Sequence, residues 1–164
     1  MADLDRVDWV PDDVWADVVE YVPVPSVDLV VLCDGGVLLA KRRNEPARGE
    51  WFVPGGRIRK GERIEASVRR VAREELGVDV AVEAELGAYD HLYDTADVPD
   101  ANGKHYVAHG YVVAPDSETF ALDDQHDDAR VFAPAELADL DLHPNVAAYL
   151  ADAGVLDETA DGGE

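Results

Sequence analysis

The stretch from Gly55 to Val78 constrains this chain most: a pair of glycines is followed at fixed offsets by Glu62, Arg70, Glu74, Glu75 and Gly77. Trp51-Phe52-Val53 reads as a strand entering a tight turn at Pro54, where two consecutive glycines let the backbone approach a ligand closely or adopt φ > 0. From about Arg63, the residues Ile64, Val68, Val71, Ala72 and Leu76 recur at helical spacing. They predict a helix with one core-facing stripe, stopped by Gly77. Glu75 follows Val71 by one helical turn and therefore sits beside that stripe, with Glu74 next to it and Arg70 a turn earlier. A carboxylate sheltered there needs a partner, either an arginine or a hard divalent cation such as Mg²⁺, which prefers oxygen ligands.

Around this stretch the chain alternates strand and helix signals. Pro11 followed by Asp12 and Asp13 opens a short helix within residues 1–20, its first turn acidic. Ser26 to Cys33 and Val37 to Lys41 are β-rich runs either side of Asp34-Gly35-Gly36, and together they read as a hairpin. Arg42, Arg43 and Arg48 then fall in a polar loop, where they either balance charge or recognise a phosphate through bidentate hydrogen bonds. Asp79 to Tyr89 and Lys104 to Val113 are strand-like, with a polar loop from Asp94 to Gly103 between them. An acidic loop from Asp116 to Asp128 holds Gln125 and His126, and a last short strand is expected over Ala129 to Ala133. Helical pieces follow from Pro134 to about Leu140 and from Asn145 to Leu150.

Length and charge bound the function. At 164 residues one domain over 1–156 is expected, with 1–20 as an N-terminal helical extension and 157–164 as a mobile acidic tail. No run approaches the ~18 apolar residues of a membrane span, and Met1 to Val10 lacks a basic head and an apolar core, which predicts a cytoplasmic protein. Cys33, the single cysteine, is read as core filler. The net charge of -22, from 36 acidic against 14 basic residues, disfavours nucleic acid and anionic membranes as partners. Self-repulsion of this size is tolerable when salt shrinks the Debye length to about 3 Å. The composition resembles that of proteins adapted to a salt-saturated cytoplasm.

The spacing Gly56, Glu62, Arg70, Glu74, Glu75, Gly77, Val78 resembles the Nudix box, G-x5-E-x7-R-E-U-x-E-E-x-G-U, with U an aliphatic residue. One position departs from it, because Val71 stands where the box has a glutamate after the arginine. That variant box resembles the GDP-mannose mannosyl hydrolase branch of the Nudix superfamily, as do Lys41 to Arg57, His91 to Asp94, Lys104 to Val107, Asp123 to Phe132 and His143 to Asn145. The resemblance implies an α/β fold, a Nudix-type α/β/α sandwich with a mixed central sheet. It implies one Mg²⁺, which Mn²⁺ can replace, held by the Gly55 carbonyl, Glu75 and Gln125 together with the substrate diphosphate.

The activity implied is hydrolysis of a nucleotide sugar, GDP-mannose or GDP-glucose, to GDP and free sugar. Water attacks the anomeric carbon with inversion, and His126 is the general base. The resemblance assigns Arg42 and Arg57 to the diphosphate, Asp28 to the sugar nucleotide, and His91, Tyr93 and Tyr106 to the lining of the substrate site. Arg70 is either a third diphosphate ligand or a structural partner of Glu74, and Glu62 and Glu74 take supporting roles. Relatives of this branch form dimers, so a homodimer using residues 1–20 as an interface or swapped element is an open expectation. Two alternatives stand: an ordinary Nudix pyrophosphohydrolase attacking phosphorus, which Val71 disfavours, and a catalytically silent sugar-nucleotide binder, which Gln125-His126 disfavours.

Overall fold

The structure is a computed structural model; it describes residues 4–122 and 126–156 and, of His126 and Asp127, the backbone. The proposed metal ligand Gln125 and the acidic tail therefore lie outside the described residues. The strands are β1 (Val24–Cys33), β2 (Gly36–Arg42), β3 (Trp51–Phe52), β4 (Gly55–Arg57), β5 (Val80–Tyr93), β6 (Lys104–Pro115) and β7 (His126–Phe132). The helices are α1 (Asp12–Tyr21), α2 (Ile64–Leu76), α3 (Pro134–Ala138) and α4 (Pro144–Asp152).

All seven strands join one mixed sheet. Its central path runs β3-β2-β1-β6-β5; β4 pairs with β1 and β7 with β2. The β1–β6 pairing is parallel and the others are antiparallel. Strand β1 is long because it serves two partners on one edge: its first half pairs with β4 and its second half with β2.

Alternation along β1 sends Val27, Leu29 and Val31 to one face of the sheet, where they pack with Val68, Val71, Ala72 and Leu76 of α2. Val30 faces the other way and packs with Leu137 of α3 and with Val146, Tyr149 and Leu150 of α4. The result is the expected sandwich, with helices on both faces of a mixed sheet. Helix α2 ends as its sequence requires, at Gly77 with φ 69° in the left-handed region, its N–H bonded to the Arg73 carbonyl at 3.0 Å.

Four local expectations are corrected. Gly55 and Gly56 are not a turn: they form β4, register Asp28↔Gly55 and Val27↔Gly56, and neither has a positive φ. They are glycine because the space beside them is filled, since a Cβ on Gly55 would lie 2.0 Å from Asp28 Oδ1 and one on Gly56 would lie 3.1 Å from Val71 Cγ2. Ile64 stands at the first turn of α2, 37% exposed, and is not part of the buried stripe. Strand β5 continues past Tyr89 to Tyr93, because His91 and Tyr93 remain paired with Tyr106 and Lys104. Strand β7 starts at His126, which pairs with Arg42 across a register shift, so His126 is the first residue of a strand and not part of the loop.

Candidate active site

A cavity of about 420 Å³ opens where β1, β4, the end of α2 and the far end of β5 and β6 meet. Of the residues singled out from sequence, Asp28, Arg42, Gly55, Gly56, Arg57, Arg70, Glu74, Glu75, His91, Tyr93 and Tyr106 all line it. Glu62 does not line it; its side chain, 1% exposed, is beneath Arg70. Gly77 caps α2 away from it. Helix α1 contributes Trp15, so the N-terminal extension lies at the cavity mouth.

At the α2 end, the buried Glu75 accepts the Gly55 N–H on Oε2 at 2.9 Å. Gly55 is thus bonded to the helix rather than to β1. In an antiparallel pair a residue that does not bond across the ladder turns both its N–H and its C=O outward, so the Gly55 carbonyl shares that side with Glu75. A buried carboxylate beside an outward carbonyl is an all-oxygen donor set that suits a hard cation such as Mg²⁺. Val71, packed on Gly56, leaves no second helical carboxylate one turn before Glu75.

Beside it, the cations form a lattice. Arg70 donates from Nε to Glu62 Oε2 at 2.7 Å, from Nη1 to Glu74 Oε2 at 3.0 Å, and from Nη2 to the Arg57 carbonyl at 2.8 Å and Glu62 Oε1 at 3.0 Å. Arg70 thus pairs with Glu74 and also lines the cavity. Burial pushes the Glu62 carboxyl up, but the Arg70 fork and the Arg59 N–H outweigh it and hold the group below the usual carboxylate range. Arg57 is less well matched: it is half-buried, 5.7 Å from the Trp15 ring centroid, and among the described residues it donates only to the Asp8 carbonyl, at 3.5 Å. Its pKa is lowered by burial first and then by Arg59 and Arg70. Such a cation gains from an arriving anion.

The opposite wall is built on Asp28. Its Oδ2 accepts the Tyr149 hydroxyl at 2.7 Å and lies 3.6 Å from His91 Nδ1. Burial raises the Asp28 carboxyl to about 6, with Tyr149 and Arg42 acting against it. Burial, helped by His143, pushes His91 down to about 4, so at neutral pH His91 is uncharged and its contact with Asp28 is not an ion pair. Among the described residues, the buried His91 Nε2 has no hydrogen-bond partner. Tyr93 accepts Asn145 Nδ2 at 3.1 Å, and Tyr106 lies under the Lys104 ammonium at 4.8 Å. Arg42 Nε donates to the Pro46 carbonyl at 2.7 Å. These contacts fix each side chain at the rim or floor of the cavity.

Sequence reasoning missed four residues. Arg59 lines the cavity and bridges Asp8 Oδ1 at 3.0 Å and Glu74 Oε1 at 3.4 Å. Its signal was the alternation with Arg57 in an extended segment. Lys104 is buried, bonded to Asp97 Oδ1 at 2.8 Å, with its ammonium 5.0 Å from the Trp15 ring. Trp15 itself read only as part of a helix, and Tyr149 as part of an apolar one. Nothing local marks these last three, since their partners come from distant segments.

The NUDIX domain family matches residues 22–153. The "Low-salt glycan biosynthesis protein Agl8" of Haloferax volcanii is 50% identical over 141 residues, 86% of this chain and 88% of that protein. The ADP-ribose pyrophosphatase of Methanocaldococcus jannaschii is 39% identical over 67 residues, 41% of this chain and 40% of that protein. Among solved structures, the MutT NUDIX hydrolase of Burkholderia pseudomallei superposes with a TM-score of 0.64 at 30% identity, covering 79% of this chain and 97% of that one. The NUDIX domain of Shewanella oneidensis NrtR, complexed with ADP ribose, has a TM-score of 0.65 at 20% identity over 90% of this chain and 92% of that one, a likeness of fold alone.

Proposed function

The chain belongs to the Nudix family and is a Nudix hydrolase, and from that premise we propose that it cleaves a nucleoside-diphosphate sugar, GDP-mannose or GDP-glucose, to the nucleoside diphosphate and free sugar. The observation that carries this reading is the single buried carboxylate of α2: Glu75 stands against Gly55, while Val71 occupies the position one turn earlier and packs on Gly56. A site with one buried helical carboxylate suits one Mg²⁺, held by the Gly55 carbonyl, Glu75 and Gln125. That ion, when bound, neutralises charge accumulating on the leaving diphosphate.

His126 takes a proton from water as the water oxygen bonds to the anomeric carbon. The bond from that carbon to the phosphate oxygen breaks on the opposite side, its electron pair leaves with the diphosphate, and the configuration inverts. Arg42 and Arg57 bind the diphosphate, the incompletely matched Arg57 gaining most from its charge. Asp28 supplies a carboxylate to the sugar and to the positive charge that develops at the anomeric carbon. His91, Tyr93 and Tyr106 line the sugar-nucleotide site.

A relative named for glycan biosynthesis supports a sugar-nucleotide substrate, and its organism together with the net charge of -22 supports a salt-adapted protein. The same reading takes the protein as cytoplasmic, binding neither nucleic acid nor membrane, and as a homodimer; no helix among the described residues is long and apolar enough to cross a membrane. A second reading, attack at phosphorus, is favoured by the similarity to an ADP-ribose pyrophosphatase. Assay of GDP-mannose, GDP-glucose and ADP-ribose with Mg²⁺ in concentrated salt separates them. Release of GDP with loss of most turnover in His126→Ala is expected. Release of a nucleoside monophosphate, or full activity in His126→Ala, contradicts the proposal.

A further inference from the structure

The sheet carries a row of glycines interrupted by one carboxylate. Gly55 of β4 pairs with Asp28 of β1, Asp28 pairs with Gly110 of β6, and Gly110 pairs with Gly87 of β5. Both glycines flanking Asp28 are filled by other groups. A Cβ on Gly55 would lie 2.0 Å from Asp28 Oδ1, and one on Gly110 would lie 2.6 Å from Tyr149 Cε1 and 3.0 Å from Cδ1. The carboxylate therefore leans over one glycine, and the Tyr149 ring, coming from α4, occupies the space over the other.

Tyr149 is fully buried and its hydroxyl donates to Asp28 Oδ2. Its ring lies 4.5 Å from that of Tyr89 and 5.4 Å from that of His91, centroid to centroid. Tyr89 is tied in turn to the same helix through Asp152 Oδ2 at 2.5 Å. The α4 side thus holds Oδ2 rigidly. Among the described residues no protein donor is bonded to Oδ1, which lies above Gly55 at the cavity floor.

We propose that Tyr149 is a positioning residue of the site: by holding Oδ2 it keeps Oδ1 of Asp28 turned into the cavity as the acceptor for a hydroxyl of the bound sugar, an inference that rests on the nucleotide-sugar reading. Without the tyrosine hydroxyl the carboxylate loses its one strong donor among the described residues and can rotate away from the productive direction. A donor to a charged acceptor is worth roughly a 10- to 100-fold change in an equilibrium or rate constant. Tyr149 is fully buried and does not line the cavity, so its effect must pass through Asp28.

The test is a double-mutant cycle on GDP-mannose hydrolysis with wild type, Tyr149→Phe, Asp28→Asn and the double variant, each first shown to be folded by thermal melting. Tyr149→Phe is expected to lower kcat/KM roughly 10- to 100-fold in the wild-type background and to change it by less than about twofold once Asp28 is already asparagine. Equal losses in both backgrounds, or no loss in either, would overturn the proposal. If Tyr149→Phe does not fold, Gly110→Ala presses on the same ring and takes its place in the cycle. If wild type does not release GDP and mannose, the reaction assignment fails by itself, and the same cycle is read from GDP-mannose affinity by calorimetry, with the same collapse expected and additive losses contradicting it.

Discussion

Two ends of one cavity treat charge in opposite ways. At the α2 end, Glu62, Glu74, Arg59 and Arg70 are matched to one another, with every nitrogen of the Arg70 fork bonded to a carboxylate or a carbonyl. At the floor, among the described residues, the buried Asp28 has one oxygen held and the other unmatched, and the uncharged His91 beside it has no partner for Nε2. The box glutamates and arginine are the most recognisable letters in the sequence, yet most of them are fastened to each other. Groups left with unused bonding capacity are the ones able to act on a ligand. Of the box residues, Glu62, Arg70 and Glu74 form a frame, while Glu75 accepts the Gly55 N–H and lines the cavity, where the proposed function makes it the working carboxylate.

Removing a working group should cost activity rather than stability. Glu75→Gln is expected to lower turnover by roughly 10²–10³-fold, measured in steady-state kinetics against Mg²⁺ concentration, with the melting temperature nearly unchanged. A variant that unfolds while retaining activity per folded molecule would put Glu75 in the frame. Glu62→Ala should do the reverse. Its side chain is 1% exposed against Arg70 at 12%, and taking one partner from a pair so buried costs about 3 kcal/mol. Denaturant unfolding at fixed salt checks this, and a kinetic loss without a stability loss would erase the distinction between the two ends.

The floor should also show itself in acid. His91 has an ordinary pKa of 6.5 in the unfolded chain and about 4 in the fold. Below pH 6.5 the unfolded chain takes up a proton that the folded protein refuses, so the stability contributed by neutral His91 is complete above 6.5 and is lost as pH falls toward 4. Relative to His91→Gln, wild type should lose about 3 kcal/mol between pH 7 and pH 4. Parallel pH profiles of stability for the two proteins would mean that His91 is not held neutral. At the small end of the scale, Arg73 and Asp79 form a pair with side chains 63% and 59% exposed, and Arg73→Gln should change stability by less than about 1 kcal/mol.

Helix α2 was legible because its signal is local. A buried stripe of Val68, Val71, Ala72 and Leu76 and a stop at Gly77 need no knowledge of the rest of the chain. The α/β class followed from the alternation of elements, and Asp28, Arg42, Arg57, Glu75, His91, Tyr93 and Tyr106 of the cavity lining followed from the resemblance. What stayed hidden depends on pairing across the sheet. Gly55-Gly56 looks like a turn until β1 is known to lie against it, and the length of β5 is set by its partner β6, not by its own mixed residues. Tyr149 sits 121 residues from Asp28, so its hydroxyl could not be connected to that carboxylate from the sequence. His126 likewise enters the sheet through Arg42, in a strand whose start the acidic loop disguised.

Under the proposed function, a site whose single buried helical carboxylate is Glu75 directs water to carbon and not to phosphorus. Hydrolysis of GDP-mannose in ¹⁸O-labelled water, with Mg²⁺ and concentrated salt, tests it most directly. GDP as the nucleotide product, with the label in mannose, is the expected result. Label in a phosphate, with GMP released, would contradict it.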